Sequence, residues 1–390
     1  MGAEKRIYLD YNASAPLRQE ARVAMLGALQ RCGNASSVHA EGRQARQLVE
    51  EARAGVAMHV GTDPRNVTFT ASGSEANVSV LAPAIVGDQP TGIDRVLVGA
   101  TEHPSVLAGG RFPRDRVATL PVDGDGVIDL AAMSEALARS AELSETVLVS
   151  VMLANNETGA IQPITEISKI AHQAGAIVHT DAAQAIGRMP VNIGDLGVDF
   201  LTLSSHKIGG PQGAGAVVMK SEGVAFTPLI TGGGQERRRR AGTENVAAIA
   251  GFGAAILAAK DDLAKTNTWR SWRDGLAAAI ATGSGTTIFS ERVSRLPQTL
   301  CVGVAGATAE TLLIALDLAA VAVSSGSACS SGKVGSSHVL TAMGVDPDLA
   351  RSAIRISFGW DTRENDLEMF QTTFSEVLER VERNKGDHVS

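Results

Sequence analysis

Aromatic residues are scarce in this 390-residue chain, at 4% of positions, and it has only three cysteines. So few aromatics leave little for stacking nucleobases. A net charge of −7 makes the chain a poor candidate to bind a phosphate backbone or an anionic membrane. Neither nucleic acid nor membrane is therefore expected as a partner. Cys32, Cys301 and Cys329 are odd in number, widely spaced and form no Cys-x-x-Cys pair. That excludes a disulfide scaffold and a cysteine zinc site, and it fits a reducing compartment. No metal is expected, and the expected location is cytoplasmic. Glu4, Lys5 and Arg6 precede any apolar run, unlike a signal peptide. The longest apolar stretch, 246–259, has 14 residues, too few for a membrane span. A P-loop is missing, and so is a Gly-x-Gly-x-x-Gly turn after the first strand, which argues against nucleotide sites of those kinds.

What is present is an ordinary globular composition, 44% hydrophobic and 20% charged, with 41 glycines for tight turns and close ligand approaches. The length suggests two or three domains, or one large and one small. Helical patterns at 17–31, opened by Pro16, and at 41–60 are followed by short apolar runs at 67–70, 95–99, 147–153, 176–180, 200–203 and 216–219. Several of these runs are separated by helical stretches, the pattern of a largely parallel sheet wrapped by helices. After a long buried helix near 244–260 come strands at 300–304, 321–323 and 355–358. The expected division is a large domain over 15–256 and a smaller α+β domain formed by 1–14 and 257–390.

In open α/β sheets, ligands bind beyond the carboxyl ends of the strands. Five strand ends here carry polar residues in turn: Ser72-Gly73-Ser74-Glu75, Glu102-His103-Pro104, Asn155-Asn156-Glu157, Asp181-Ala182-Ala183-Gln184 and Ser204-Ser205-His206-Lys207. Alone, Gly73-Ser74 reads as an N-cap, His103 as a loop or core histidine, Asp181 as a helix cap and Lys207 as a surface lysine. Together they match the needs of pyridoxal phosphate: an amine for its aldehyde, an acid for its ring nitrogen, donors for its phosphate and a flat group over its ring.

These residues also carry a family resemblance. The chain resembles NifS/IscS-type cysteine desulfurases of the class V pyridoxal-phosphate-dependent aminotransferase family, from Tyr8-Leu9-Asp10-Tyr11 to the helix after Trp360. The matching segments include Gly33-Asn34-Ala35-Ser36-Ser37-Val38-His39, Gly232-Gly233-Gly234-Gln235-Glu236-Arg237 and Gly242-Thr243-Glu244-Asn245. They also include Ser325-Gly326-Ser327-Ala328-Cys329-Ser330 and Arg355-Ile356-Ser357. The resemblance implies a fold type I transferase with a mostly parallel seven-stranded sheet. It implies that Lys207 holds the cofactor and moves protons, that Asp181 pairs with the ring nitrogen, and that His103 stacks on the ring. It assigns Asn156 and Gln184 to the phenolic oxygen. Gly73, Ser74, Ser204 and His206 go to the phosphate, with Thr243 reaching in from a second subunit. Arg355 is assigned to the substrate carboxylate, with Asn34 nearby.

Cys329 lies in a run of small residues without apolar periodicity, a context for an accessible thiol. Cys32 and Cys301 read as structural. The implied reaction converts L-cysteine to L-alanine and leaves the sulfur on Cys329 as a persulfide. The expected setting is a homodimer that passes sulfur to an iron–sulfur scaffold or another acceptor protein. A selenocysteine lyase or another class V enzyme, with Cys329 incidental, is the alternative. Four departures from the family pattern stand out: Ser72 and Ser74 in the phosphate turn, Gly210 in the lysine loop, Lys333-Val334-Gly335 after the cysteine, and the run Arg237 to Arg240. That run is either a solvated charge cluster or a contact patch.

Overall fold

Seven short strands form one sheet in the computed structural model, which describes residues 6–87, 91–283, 285–326 and 336–387. The strands are β1 (Val67–Thr70), β2 (Arg95–Gly99), β3 (Val117–Leu120), β4 (Val147–Ser150), β5 (Ile177–Asp181), β6 (Phe200–Ser204) and β7 (Gly215–Met219). Their spatial order is β1-β7-β6-β5-β4-β2-β3. Only β7 runs against its neighbours β1 and β6; every other pair is parallel. The carboxyl ends of β1, β2, β4, β5 and β6 therefore share one edge, and all five polar clusters follow those ends. Helices cover both faces, so β1, β4, β6 and β7 are buried at every residue. That explains the unbroken apolar runs of β4 and β7.

The strand β3 is not visible in the sequence. It sits at the sheet edge, only Leu120 of its four residues is buried, and it lacks the continuous apolar signature of the central strands. The small sheet of Ala84–Gly87, Thr91–Gly92 and Val224–Phe226 was also not anticipated, each strand having four residues or fewer. The first helix spans Gln19–Leu29 rather than starting at Pro16, and the strand expected over 147–153 stops at Ser150.

A second apolar cluster joins Ile7 and Leu9 to Trp269, Leu300, Leu312, Ile354, Phe370 and Phe374. Its antiparallel sheet is Thr286–Ile288, Thr299–Val304 and Ile354–Ser357. Ile7–Tyr8 pairs in parallel with Val321–Ala322, and Asp10 bridges to Ser357. The chain start is thereby tied to the C-terminal region while the next few residues, Asn12 and Ala13, reach the sheet edge.

The helix Val246–Asp262 packs against both Gln19–Leu29 and Ala40–Val60. Its glycines allow the close approach: a Cβ on Gly251 would lie 2.6 Å from Met25 Cγ, and one on Gly253 2.6 Å from Ala52 Cα. Met25 is flexible, but Ala52 meets Gly253 with backbone. Gly253→Val is expected to destabilise the protein by about 1–3 kcal/mol through overpacking, read as a lower urea midpoint. An unchanged midpoint would show that the two helices can part without penalty.

Candidate active site

A cavity of about 300 Å³ opens at the shared strand edge, within the usual size range for small-molecule sites. Ten of the thirteen residues singled out from the sequence line it: Gly73, Ser74, His103, Asn156, Asp181, Gln184, Ser204, His206, Lys207 and Arg355. Thr243 and Asn34 do not; both are exposed, and the Asn34 carboxamide oxygen accepts from Ser36 N at 2.8 Å. Cys329 lies outside the described residues, although Gly326, three positions before it, lines the cavity.

Asp181 is the last residue of β5. Its Oδ1 accepts from the Ala183 amide at 2.9 Å and its Oδ2 from Asn77 Nδ2 at 2.8 Å. His103 follows β2 and caps the helix Pro104–Leu107, its Nδ1 accepting from Ser105 N at 3.1 Å. Burial depresses the His103 pKa and the Lys207 cation adds to this, while Asp181 opposes it. The ring therefore favours its neutral form, with the proton on Nε2 because Nδ1 is an acceptor.

Lys207 sits on the single 3₁₀ turn Ser205–Ile208 directly after β6. The turn is closed by Gly209 at φ +81°, where a Cβ would also lie 2.6 Å from Arg18 Cγ. Next to it, a Cβ on Gly210 would collide with Ser205 Oγ, which accounts for the small residue there. The Lys207 amine donates to Asn12 O at 2.6 Å and Ala13 O at 3.0 Å. Gln184 Nε2 donates to the same Asn12 carbonyl at 3.0 Å. Beneath them, Arg188 donates to Gln184, to Tyr11 O and to Lys207 O. Burial, with Arg355 next, pulls the Arg188 pKa down to about 9.

Arg355 Nη2 donates to Asp10 Oδ1 at 2.6 Å and Nη1 to Asn156 O at 2.9 Å. Its Nε is buried with no hydrogen-bond partner among the described residues. An orphaned guanidinium donor in a cavity wall is suited to a carboxylate.

The helix Gly73–Val80 starts at the cavity, and its first-turn amides have no intrahelical acceptor. Ser72 Oγ caps the amide of Glu75 at 3.0 Å. A Cβ on Gly73 would lie 3.0 Å from Ser204 Cβ, and one on Gly215 2.5 Å from Ser72 C, so glycines keep this corner open. Burial first, then Lys207 and Arg188, lower the His206 pKa to about 4, leaving a neutral hydrogen-bonding ring. A helix N-terminus flanked by Ser204 and His206 is a site for a phosphate. An amine, a strand-end carboxylate, this cradle and the free Arg355 donor together fit pyridoxal phosphate with an amino-acid substrate.

Asn12, Asn77, Arg188 and Asp10 were missed by the sequence reading. Asn77 could have been found, since it lies four residues after Gly73 on the same helix face. The others gain meaning only through long-range contacts. The arginine run is partly engaged: Arg240 pairs with Glu75 at 2.9 Å and Arg239 donates to Arg65 O at 2.6 Å. Cys301 is buried, with its thiol pKa pushed up by burial, whereas Cys32 lies past the end of its helix and is exposed. A structural role therefore fits Cys301 but not Cys32.

Glu102 is buried beside His103. Its Oε1 accepts from Met152 N at 2.6 Å and its Oε2 has no partner among the described residues. Burial, opposed by that hydrogen bond and reinforced by Asp181, raises its pKa well above the ordinary carboxylate range. The folded state thus keeps a proton that the unfolded chain releases above about pH 4.3. The stability this group gives is full below that pH and declines as pH rises through the folded pKa. Glu102→Gln removes the titration, so its stability relative to the native protein is expected to improve between about pH 5 and about pH 8. Urea melts at several pH values measure this; a pH-independent difference would mean that Glu102 is ionised in the fold.

A profile of the aminotransferase class-V family matches residues 7–370. Cysteine desulfurase IscS of Dictyoglomus turgidum is 38% identical over 384 residues, covering 97% of this chain and 96% of that protein. A cysteine desulfurase of Cereibacter sphaeroides is 40% identical over 367 residues, 92% of each chain. The X-ray structure of a NifS-like protein from Rickettsia africae aligns with a TM-score of 0.84 at 34% identity, over 96% of this chain and all of that one. Pyridoxal phosphate, which fits the cavity, is the cofactor this family implies. With a family profile spanning nearly the whole sequence and a doubly covered sheet holding the lysine and acid at one edge, the chain belongs to the class-V aminotransferase family.

Proposed function

We propose that this protein is a pyridoxal-phosphate-dependent cysteine desulfurase that converts L-cysteine to L-alanine and retains the sulfur as a persulfide on Cys329. The observation that carries the reading is the convergence of Lys207, Asp181, His103 and Arg355 on one cavity, in a chain with near full-length similarity to cysteine desulfurases.

When bound, pyridoxal phosphate supplies an electron sink conjugated to the substrate's α-carbon. The residues do the rest. Asp181 would balance the positive ring nitrogen, and His103 would cover the ring. Gln184 and Asn156 would meet its phenolic oxygen. The Gly73–Ser74 amides, Ser204 and His206 would hold the phosphate. Lys207 would hold the cofactor through its amine and, once substrate has taken its place, would move protons to and from the substrate carbons. Arg355 grips the substrate carboxylate through Nε and an outer Nη proton. The thiolate of Cys329 attacks the substrate sulfur. As the S–S bond forms, the Cβ–S bond breaks, its electron pair stays on carbon, and that carbon takes up a proton. The carbon gains two electrons and the two sulfurs lose one each in becoming a persulfide, so no outside oxidant is needed for this half of the cycle.

The same reading places the large domain at 15–256 and the small one at 1–14 with 257–390. It also makes the protein a homodimer in which the exposed Thr243 serves the partner's phosphate site, while Asn34 is assigned near the substrate carboxylate. Exposed Val23, Leu26, Leu29, Met58 and Leu257 give apolar surface for such pairing. The persulfide's destination is an iron–sulfur scaffold or another acceptor protein, and the setting is cytoplasmic. Among the described residues, no helix is long and apolar enough to cross a membrane.

Alanine formation from L-cysteine under a reductant tests the reading. Native protein is expected to make alanine, and Cys329→Ala to lose at least about 100-fold while keeping its bound cofactor colour. Equal rates in both would make Cys329 a bystander and favour a lyase. No alanine from visibly loaded native protein would mean that cysteine is not the substrate. Arg355→Lys is expected to raise KM about 10–100-fold, the worth of a charge-assisted hydrogen bond to the substrate; an unchanged KM would move the carboxylate site elsewhere.

A further inference from the structure

Asn77 is 2% exposed and sits where three hydrogen bonds meet. Its Nδ2 donates to Asp181 Oδ2 at 2.8 Å and to Ser105 Oγ at 2.9 Å, and its Oδ1 accepts from Thr202 Oγ1 at 2.5 Å. Ser105 Oγ lies 2.8 Å from His103 Nδ1. One amide thus links the acid proposed to face the ring nitrogen with the histidine proposed to cover the ring.

The polarity of this chain follows from elementary donor and acceptor counting. The Ser105 backbone N–H can only donate, so His103 Nδ1 is an acceptor. The Ser105 hydroxyl must then donate to that nitrogen as well, and so accepts from Asn77. An amide turned the other way would set its oxygen against the Asp181 carboxylate, which repels it. The Asn77 oxygen therefore faces Thr202, whose hydroxyl donates to it. Thr202 Oγ1 in turn accepts from His179 Nε2 at 3.1 Å, and His179 Nδ1 lies 2.8 Å from Ser150 Oγ. His179 is fully buried and its pKa is lowered to about 4 by burial, so it is a neutral ring with one donor and one acceptor, as this chain requires.

We propose that Asn77 is a positioning residue: it fixes the Asp181 carboxylate and His103 relative to each other, and so presets the two faces that clamp the cofactor ring. The Asn77 carboxamide meets Asp181 Oδ2, whereas the backbone amide of Ala183 holds Oδ1 independently. Without Asn77 the carboxylate keeps one anchor and can swing about it. The hydroxyl of Ser105 also loses the donor that directs it.

This inference rests on the proposed role of Asp181 and His103 at the cofactor. It is tested on protein stripped of cofactor by titrating pyridoxal phosphate back and following its absorption band. Asn77→Ala is expected to bind about 10-fold more weakly, the scale of one hydrogen bond to a charged group, with a shifted band. Ser105→Ala, which cuts only the His103 arm, is expected to lose less. Thr202→Val keeps the side-chain shape but frees the amide to rotate, and is expected to weaken binding in the same direction; it serves if Asn77→Ala does not fold. Native affinity in folded Asn77→Ala, or in Thr202→Val when Asn77→Ala does not fold, overturns the proposal, as does an equal loss in Ser105→Ala and Asn77→Ala. Failure of the native protein itself to bind would instead overturn the reading of the cavity.

Discussion

A carboxylate at the end of a buried strand is tolerated only when its oxygens are met by donors. At Asp181 the Ala183 amide and the Asn77 carboxamide meet them from two directions. The rest of the site follows from satisfying that one group. Asn77 lies on the helix that opens with Gly73, so the carboxylate's donor and the proposed phosphate cradle share an element. Its second amide proton ties in Ser105 and, through it, His103. Its oxygen draws in Thr202 on β6, the strand whose next turn carries Lys207. Asp181, His103, the Gly73 turn and Lys207 are thereby held in one register across β1, β2, β5 and β6.

Charge decides what such a cavity takes. Among the described residues, Lys207 and Arg355 line it against one lining carboxylate, Asp181, and Arg188 lies just behind. Burial together with the neighbouring cations holds His206 neutral, and burial and Arg355 depress Arg188, so positive charge is already in excess. A ligand carrying a phosphate and an amino acid carrying a carboxylate both relieve that excess. Asp10 does so for Arg355 on one side only, leaving Nε unmet among the described residues. The N-terminal segment contributes more than packing: the Asn12 carbonyl accepts from both Lys207 and Gln184. The short pairing of Ile7–Tyr8 with Val321–Ala322 therefore bears on the position of the amine.

The parallel sheet was legible because burial on both faces writes strands as uninterrupted apolar runs. Its edge strand Val117–Leu120 was not, because exposure removes that signal. The polar strand ends were legible because sheet topology collects them at one edge whatever the details of packing. Asn12, Arg188 and Asp10 were hidden, since a residue 195 positions from its partner in sequence, as Asn12 is from Lys207, leaves no local pattern. Thr243 and Asn34 carry motif signals but lie exposed and away from the cavity lining, so the fold of the single chain gives them no part in it. Cys32 misled in a simpler way: the helix ends at Leu29, and the amphipathic pattern does not carry on to the cysteine.

The central claim is that substrate sulfur passes to Cys329 rather than leaving as free sulfide. Mixing reductant-free holoprotein with less than one equivalent of L-cysteine, followed by peptide mass spectrometry, tests it most directly. The account predicts a one-sulfur mass gain confined to the peptide containing Cys329, with alanine formed in equal amount. Alanine with sulfide and an unmodified Cys329, or sulfur only on the exposed Cys32, would contradict it.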